Sequence, residues 1–194
     1  MPVIYFLRHG ETDWNAEGRM QGQLEVPINA KGRGQAVRNG RVLRERIGDG
    51  GGFDFVASPM LRTRQTMEIV RAEMGLLVTC YRTDDRLREI HKGDWQSLLR
   101  PEICARFPGE VAVYDAGRWT YRPPGEGAES FAALYARVCD WLAGVTRDTV
   151  VVSHGGPMRC LRRHVLGLDD TATMVLTAPQ DQVMRIRGGA VDWL

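Results

Sequence analysis

The residues that offer chemistry most directly are Arg8, His9 and Gly10, at the end of the first apolar segment of the chain. The preceding segment, Val3 to Leu7, is short and rich in β-branched and aromatic residues, which predicts a buried strand. Imidazole is a competent covalent nucleophile, and a guanidinium can hold a phosphate through two hydrogen bonds. The tripeptide therefore suggests a histidine that accepts a phosphoryl group. A strand end with solvent-facing polar groups is the alternative that it leaves open.

A second cationic side chain follows another strand-like segment. Residues Phe53 to Ala57 alternate and are apolar, and Ser58-Pro59 then predicts a helix start, with serine as N-cap and proline at the first helical position. Arg62 should therefore project from the first turn of that helix, at the carboxyl end of a strand.

His154 follows the most strand-like segment of the chain, Thr149 to Ser153. Ligands bind at the carboxyl ends of strands in an α/β sheet, and a transferring phosphoryl group needs donors from several directions. We therefore expect Arg8, His9, Arg62 and His154 to converge on one anion-sized space at that edge.

The elements that must position these residues alternate between strands and helices. This order predicts an α/β fold, a three-layer α/β/α sandwich with a mostly parallel central sheet. Further elements are predicted as a helix from Asn29 to Ile47, a third strand at Leu76–Val78, an amphipathic helix from Phe131 to Val145, a helix from Pro157 to about Leu166, and final strands at Met184–Ile186 and Val191–Trp193.

The length of 194 residues predicts a single domain, residues 1–194. Residues from about 82 to 124 are less regular, and we interpret them as a partly helical insertion over the active-site edge. The aromatic residues in this stretch favour local packing rather than a base-stacking surface, because no basic stripe accompanies them.

Composition narrows the class of partner. A net charge of +2 gives no global field for nucleic acid or an anionic membrane, and no segment has the length of a transmembrane helix. The four cysteines form no C-x-x-C pair, so neither a zinc site nor a redox motif is indicated. Without a recognisable signal segment, we expect a cytoplasmic protein.

Several motifs occur in the order found in one known family. Together they resemble the histidine phosphatase superfamily, the phosphoglycerate mutase-like proteins, and in particular the small phosphatases of its branch 1. The blocks are Leu7-Arg8-His9-Gly10-Glu11-Thr12-Asp13-Trp14-Asn15, Gln21-Gly22, Ser58-Pro59-Met60-Leu61-Arg62-Thr63-Arg64-Gln65-Thr66, Leu87-Arg88-Glu89-Ile90, and Val152-Ser153-His154-Gly155-Gly156.

The resemblance implies a role for each matching residue. His9 would be the nucleophile that becomes phosphohistidine, and Arg8, Arg62 and His154 would bind the phosphoryl oxygens. Glu89 would protonate the leaving group and then deprotonate the attacking water. Weaker candidates for that carboxylate are Asp84, Asp85 and Glu11. No metal and no cofactor are implied, since guanidinium and imidazolium groups supply the positive charge.

Four further positions match family residues that touch the phosphate or the substrate. They are Asn15, Gln21, Gly22 and Gly155. Turn formation is the alternative role for Asn15 and for the Gln21-Gly22 pair, since asparagine and glycine favour turns.

The chain departs from the family pattern after Glu89. The family often has Gly-x-Trp-Glu-Gly where this chain has Gly93-Asp94-Trp95-Gln96-Ser97, and His91-Lys92 stands where an acidic and an aromatic residue are common. Lys92 adds a positive charge near the mouth of the site, which suits an anionic substrate beyond the phosphate itself.

These observations predict a metal-independent phosphomonoesterase that hydrolyses a small phosphorylated metabolite through phosphohistidine on His9. The alternative is a cofactor-dependent phosphoglycerate mutase, which would need bisphosphoglycerate. The mutases for which the family is named are longer and carry an extra basic segment, and nothing comparable stands between Trp95 and Pro124. A non-catalytic module that holds a phosphorylated ligand is a third hypothesis. The expected partner is a small phosphate ester, without nucleic acid or membrane, and a homodimer is left open.

Overall fold

A six-stranded sheet lies at the centre of the molecule. The computed structural model describes residues 1–194. The strands are β1 (Ile4–Arg8), β2 (Asp54–Ala57), β3 (Arg82–Thr83), β4 (Thr149–Ser153), β5 (Met184–Arg187) and β6 (Ala190–Trp193), in the order β3-β2-β4-β1-β5-β6. Strands β1 to β4 run parallel, whereas β5 pairs antiparallel with both β1 and β6. The predicted mostly parallel sheet is confirmed.

Eight helices surround or extend this sheet. They are α1 (Asp13–Glu17), α2 (Ala30–Ile47), α3 (Leu61–Glu73), α4 (Arg100–Arg106), α5 (Pro108–Ala116), α6 (Phe131–Ala143), α7 (Gly155–Leu166) and α8 (Asp170–Met174). Two short 3-10 turns lie at Asp85–Leu87 and Gly93–Trp95. None of the helices is both long and apolar enough to span a bilayer.

The alternation of side chains along β1 explains the three layers. Ile4 and Phe6 pack against α6 and α7 on one face, whereas Tyr5 and Leu7 pack against α2 and α3 on the other face. Successive residues of a strand point to opposite faces, so a strand that is apolar throughout must be covered on both sides. The predicted sandwich is confirmed.

Two local predictions are wrong. Leu76–Val78 forms a turn after α3, with Leu77 71% exposed, and the edge strand is instead β3. The backbone of this run bonds locally instead, since the N–H of Leu76 donates to the carbonyl oxygen of Arg71 in α3 and the carbonyl oxygen of Leu77 accepts from Cys80. Ser58 does not cap α3, which has Met60 at its N-cap, because the backbone N–H of Ser58 still donates to Val152 in the neighbouring strand.

The segment from 82 to 124 contains β3, both 3-10 turns, α4 and α5. Its aromatic side chains pack locally, as predicted, most of them on one another and Trp119 on Phe131 and Tyr135 of α6. Trp95 is fully buried, with ring centroids 5.2 Å from Tyr114 and 5.4 Å from Tyr121. Tyr114 also lines the main cavity described below, so this packing holds one wall of the site.

Candidate active site

His9 lies directly after β1, and its ring is held in one tautomer. The side chain is only 2% exposed. Its Nδ1 lies 2.8 Å from the carbonyl oxygen of Gly10, and its Nε2 lies 3.2 Å from Nε of Arg62. A carbonyl only accepts and a guanidinium only donates, so Nδ1 carries the proton and Nε2 presents a lone pair. This is the atom that a nucleophilic imidazole would use.

The charge state of His9 suits attack. Burial, followed by the positive charges of Arg62 and Arg8, holds the pKa of His9 well below its usual value of 6.5. The imidazole is therefore neutral near pH 7, and Nε2, which accepts from Arg62, needs no deprotonation before it attacks.

Arg62 is a buried cation aimed at His9. It is 1% exposed, and its two terminal nitrogens donate to the carbonyl oxygens of Leu24 and Gly22, both at 2.8 Å. Burial lowers the pKa of Arg62 to about 10, so it stays charged at neutral pH. These carbonyl contacts fix the guanidinium beside Nε2, at a position where it can hold a phosphoryl oxygen.

Arg8 reaches the same space from the strand itself. Its Nη1 donates to the carbonyl oxygen of Ala178 at 2.8 Å, whereas its buried Nε has no hydrogen-bond partner in the protein. A second guanidinium is therefore fixed at the site, and its Nε–H group remains free to donate to a ligand.

His154 lies behind His9 rather than in the wall of the cavity. Parallel pairing of β1 with β4 brings the two rings within 5.2 Å, inclined by 62°. The Nε2 atom of His154 is 2.8 Å from the Ser58 hydroxyl oxygen, while its Nδ1 is buried without a partner. The structure thus brings the four expected residues together, but only Arg8, His9 and Arg62 line the open space.

The cavity beside His9 has a volume of about 300 Å³. Seven of the residues expected at the site line it, whereas His154 and Gly155 do not. Gly155 instead lies against the Arg8 guanidinium, and its neighbour Gly156 takes a place in the wall. The seven are Arg8, His9, Asn15, Gln21, Gly22, Arg62 and Glu89.

Glu89 is the one carboxylate in the cavity wall. Its Oε1 accepts hydrogen bonds from the backbone N–H of Ile90 at 2.9 Å and of Gly156 at 3.1 Å. A Cβ at position 156 would lie 2.2 Å from that oxygen, so the close approach requires glycine. The carboxylate is thereby fixed at the amino-terminal end of α7 and facing the cavity.

The other candidate carboxylates lie elsewhere. Asp84 accepts from Arg86, Asp85 accepts from Arg88, and Glu11 accepts from Lys31. None of the three lines the cavity. Of the carboxylates that the sequence suggested, Glu89 alone is placed to exchange a proton with a bound ligand.

The loop that carries Glu89 is tied to α6 by Arg137. The two terminal nitrogens of Arg137 donate to the carbonyl oxygens of Arg86, Arg88 and Glu89 at 2.8, 2.7 and 3.0 Å. The guanidinium also pairs with Glu129 at 2.9 Å. No motif in the sequence marks Arg137, because it lies within an ordinary amphipathic helix.

Asn15 combines a structural role with a place in the cavity wall. Its Oδ1 accepts from the backbone N–H of Thr12 and from Nε2 of Gln180, which also donates to the carbonyl oxygen of His9 at 3.1 Å. These contacts occupy the amide oxygen and leave the amide N–H groups for a ligand. Gln180 lies in an irregular loop near the end of the chain, and nothing in its sequence context indicated this contact.

Gln21 and Gly22 line the cavity from the loop after α1. Gln21 is 8% exposed, and its buried Oε1 has no partner. Gly22 adopts φ +52°, and a Cβ there would lie 2.1 Å from Oε1 of Gln96. The positive φ therefore favours glycine at this position, and a Cβ there would also displace the Gln96 side chain.

The wall of the cavity is strongly cationic. Six of its side chains are arginine or lysine, against the single carboxylate of Glu89. Lys92 was expected near the site from the sequence, whereas no motif indicated that Arg118 or Arg159 lines the cavity. The six are Arg8, Arg19, Arg62, Lys92, Arg118 and Arg159. Such a wall suits an anionic ligand. No three histidine, cysteine, aspartate or glutamate side chains lie together as metal ligands would.

Comparison with known proteins agrees with this geometry. The model of the histidine phosphatase superfamily, branch 1, matches residues 4–190. The chain belongs to this superfamily. The family match spans every strand except the last residues of β6, so it covers the whole of the site described above.

Relatives of this chain include one protein named as a phosphatase and one named as a probable mutase. Glucosyl-3-phosphoglycerate phosphatase of Mycolicibacterium vanbaalenii is 36% identical over 176 residues, which cover 85% of this chain and 74% of the relative. A Salmonella paratyphi C protein named "Probable phosphoglycerate mutase GpmB" is 33% identical over 199 residues, covering 100% of this chain and 88% of that protein.

A solved structure gives the same result. Mycobacterial glucosyl-3-phosphoglycerate phosphatase in complex with VO3 superposes with a TM-score of 0.77 at 31% identity, covering 100% of this chain and 96% of that chain. The branch 1 chain is therefore an enzyme of the histidine phosphatase or phosphoglycerate mutase type.

Proposed function

We propose that this chain is a phosphomonoesterase that hydrolyses a small phosphorylated metabolite through a phosphohistidine formed on Nε2 of His9. The observation that carries the proposal is the tautomer of His9, whose Nδ1–H donates to Gly10 and whose Nε2 faces Arg62 at 3.2 Å. An imidazole fixed in this way is prepared for attack on an anion held by two guanidinium groups.

The first half-reaction transfers the phosphoryl group. Arg8 and Arg62 hold the phosphoryl oxygens, and the Nε2 lone pair of His9 forms a bond to phosphorus as the bond to the ester oxygen breaks. The departing alkoxide takes a proton from the Glu89 carboxyl group, so a neutral alcohol leaves. His154 supports His9 from behind, and Ser58 holds His154 through the 2.8 Å contact.

The second half-reaction restores the enzyme. Glu89, now a carboxylate, removes a proton from water as the water oxygen attacks the phosphorus of phosphohistidine. The nitrogen–phosphorus bond breaks, inorganic phosphate leaves, and the His9 lone pair returns. No step draws on a metal ion, so we expect chelators to leave the rate unchanged.

The experiment that tests this proposal traps the phosphoenzyme. Substrate labelled in the phosphoryl group and quenched in alkali should leave label on His9, and acid treatment should remove it, since a phosphoramidate is stable in base and labile in acid. His9→Ala should abolish both the label and nearly all turnover. Full activity in His9→Ala, or loss on chelation that metal restores, would contradict the proposal.

A phosphoglycerate mutase is the second candidate, favoured by the match over the whole chain to a relative named as a probable mutase. The same phosphohistidine would then pass its phosphoryl group to phosphoglycerate rather than to water. A mutase primed with bisphosphoglycerate should interconvert phosphoglycerates faster than it releases phosphate. We expect phosphate release to be the faster process.

A further inference from the structure

Lys92 is a buried cation in the cavity wall that the chemistry above does not use. It is 9% exposed, and its Nζ has neither an ion-pair nor a hydrogen-bond partner in the protein. The ammonium lies 4.9 Å from the ring centroid of Phe131 and 5.7 Å from that of Tyr114. Aromatic faces therefore surround the stem and the head group, and the remaining side is the cavity.

This burial is costly unless a counter-ion offsets it. Withdrawing an ammonium from water without an anion beside it costs more than a cation–π contact returns. Glu89 and, more weakly, Glu129 act to raise the pKa of Lys92, but neither forms an ion pair with it. Glu129 pairs with Arg137, and Glu89 accepts hydrogen bonds from the backbone N–H groups of Ile90 and Gly156. Burial lowers the pKa of Lys92 to about 8, so the group is still a cation at neutral pH.

Two further cations lie within electrostatic reach of Lys92. The charges of Arg159 and Arg118 both act to lower its pKa, and both side chains line the same cavity. Arg159 donates its Nε to the carbonyl oxygen of Leu176 and has no carboxylate partner. Arg118 is only partly neutralised, by an exposed pair with Asp115 at 3.3 Å. The protein thus gathers positive charge beyond what Arg8 and Arg62 already supply for a phosphoryl group.

We propose that the substrate carries a second anionic group, a carboxylate or a second phosphate, and that Lys92 and Arg159 bind it while the phosphoryl group lies against His9. The inference rests on the proposed phosphatase function and adds a class of substrate to it. Lys92 is then a specificity-determining residue, because it contributes to binding one end of the substrate rather than to the chemistry at the other.

The test compares esters that differ in one charge. 3-Phosphoglycerate is paired with its carboxamide, and 1,3-propanediol bisphosphate is paired with 3-hydroxypropyl phosphate. Because a charge-assisted hydrogen bond contributes about 1.5–3 kcal/mol, the wild-type kcat/KM should favour the charged member of one pair by about tenfold to a hundredfold, mainly through KM. A larger ratio for the phosphoglycerate pair would identify the second anionic group of the substrate as a carboxylate. A larger ratio for the propanediol pair would identify it as a phosphate.

Variants then assign the preference to Lys92. Lys92→Met keeps the stem between Phe131 and Tyr114 and should reduce the preference to less than about threefold, whereas Lys92→Arg should retain most of it. Arg100→Met is the matched control, since Arg100 also lies over Tyr114, at 5.6 Å, but does not line the cavity. Equal loss on both members of a pair in Lys92→Met would overturn the proposal.

A binding measurement separates this inference from the proposed function. Calorimetric titration of His9→Asn with 3-phosphoglycerate and with its carboxamide should give the same ratio of dissociation constants without any turnover. If the wild-type enzyme released no phosphate from any ester, the phosphatase proposal would fail, and this ratio would still test the second anion site. Equal affinity for the charged and uncharged members of both pairs would overturn it.

Discussion

Replacing Arg62 by methionine should slow phosphoryl transfer and, in the same variant, raise the pKa of His9. Arg62 Nε lies 3.2 Å from Nε2 of His9, and its charge is the largest cause after burial of the low pKa of His9. Methionine preserves the unbranched apolar stem of the side chain and removes the charge and all donors. The two effects therefore arise from one missing guanidinium.

The size of each effect follows from the contacts. Removing one preorganised donor typically costs about 10²- to 10³-fold in kcat. The carbonyl oxygens of Gly22 and Leu24 each lose a 2.8 Å donor, so the free energy of unfolding should fall by about 1–3 kcal/mol. The pKa of His9 should rise but stay below 6.5, because the burial that lowers it most is unchanged.

Two assays follow these effects separately. Imidazole nitrogen chemical shifts of the free protein, recorded from about pH 4.5 to 8, report the pKa of His9 directly. The acid limb of kcat/KM, measured with an ester of a good leaving group, should move to higher pH by the same amount. Arg64→Met is the matched control, since Arg64 is exposed on the same helix and its side chain makes no hydrogen bond or ion pair. A kcat within threefold of wild type, or a His9 pKa that does not rise, would refute the reasoning.

Three further predictions concern the carboxylate, the buried histidines and the loop after β1. Glu89→Gln should slow esters with poor leaving groups about 10²- to 10⁴-fold and those with good leaving groups far less, because only the former need a proton; equal losses in a leaving-group series would remove Glu89 from the acid role. Burial lowers the pKa of His9 and of His154 well below 6.5. On acidification, these histidines therefore become protonated in the unfolded chain while they remain neutral in the folded chain. The free energy of unfolding should therefore decrease as the pH falls below about 6.5, and urea titrations should show a shallower decrease in His9→Asn. Gly10→Ala should destabilise the fold by at least about 1–3 kcal/mol in thermal unfolding, because its Cβ would lie 2.3 Å from the carbonyl oxygen of Gly32, whereas Gly34→Ala, with open space around it, should not.

Local sequence determined which residues would meet at the site. The runs that form β1, β2 and β4 are short and mostly apolar, and a run of that kind is stable only when helices cover both faces of its sheet. Helices lie between these strands along the chain, so the strands run parallel and the residues that follow them share one edge. His9, Arg62 and His154 were predictable for this reason, and Glu89 was predictable from its motif.

Only the tertiary structure shows how these residues are arranged relative to one another. His154 lies behind His9, and Ser58 binds His154 rather than capping α3, because the pairing of β2 with β4 brings their ends together across 96 positions of the chain. Leu76–Val78 was predicted as a strand from its composition, yet its backbone bonds to the end of α3 and within a turn, and Arg82–Thr83 pairs with β2 instead.

The same distinction applies to the contacts that support the site. Gln180 and Arg137 hold Asn15 and the Glu89 loop through hydrogen bonds to residues 165 and 48 positions away. The sequence revealed the charge of Lys92, but only the packing of Phe131 and Tyr114 around it made that charge buried and unpaired. A motif shows which residue types the chemistry requires. The burial and charge balance of those residues depend on every element that packs around them.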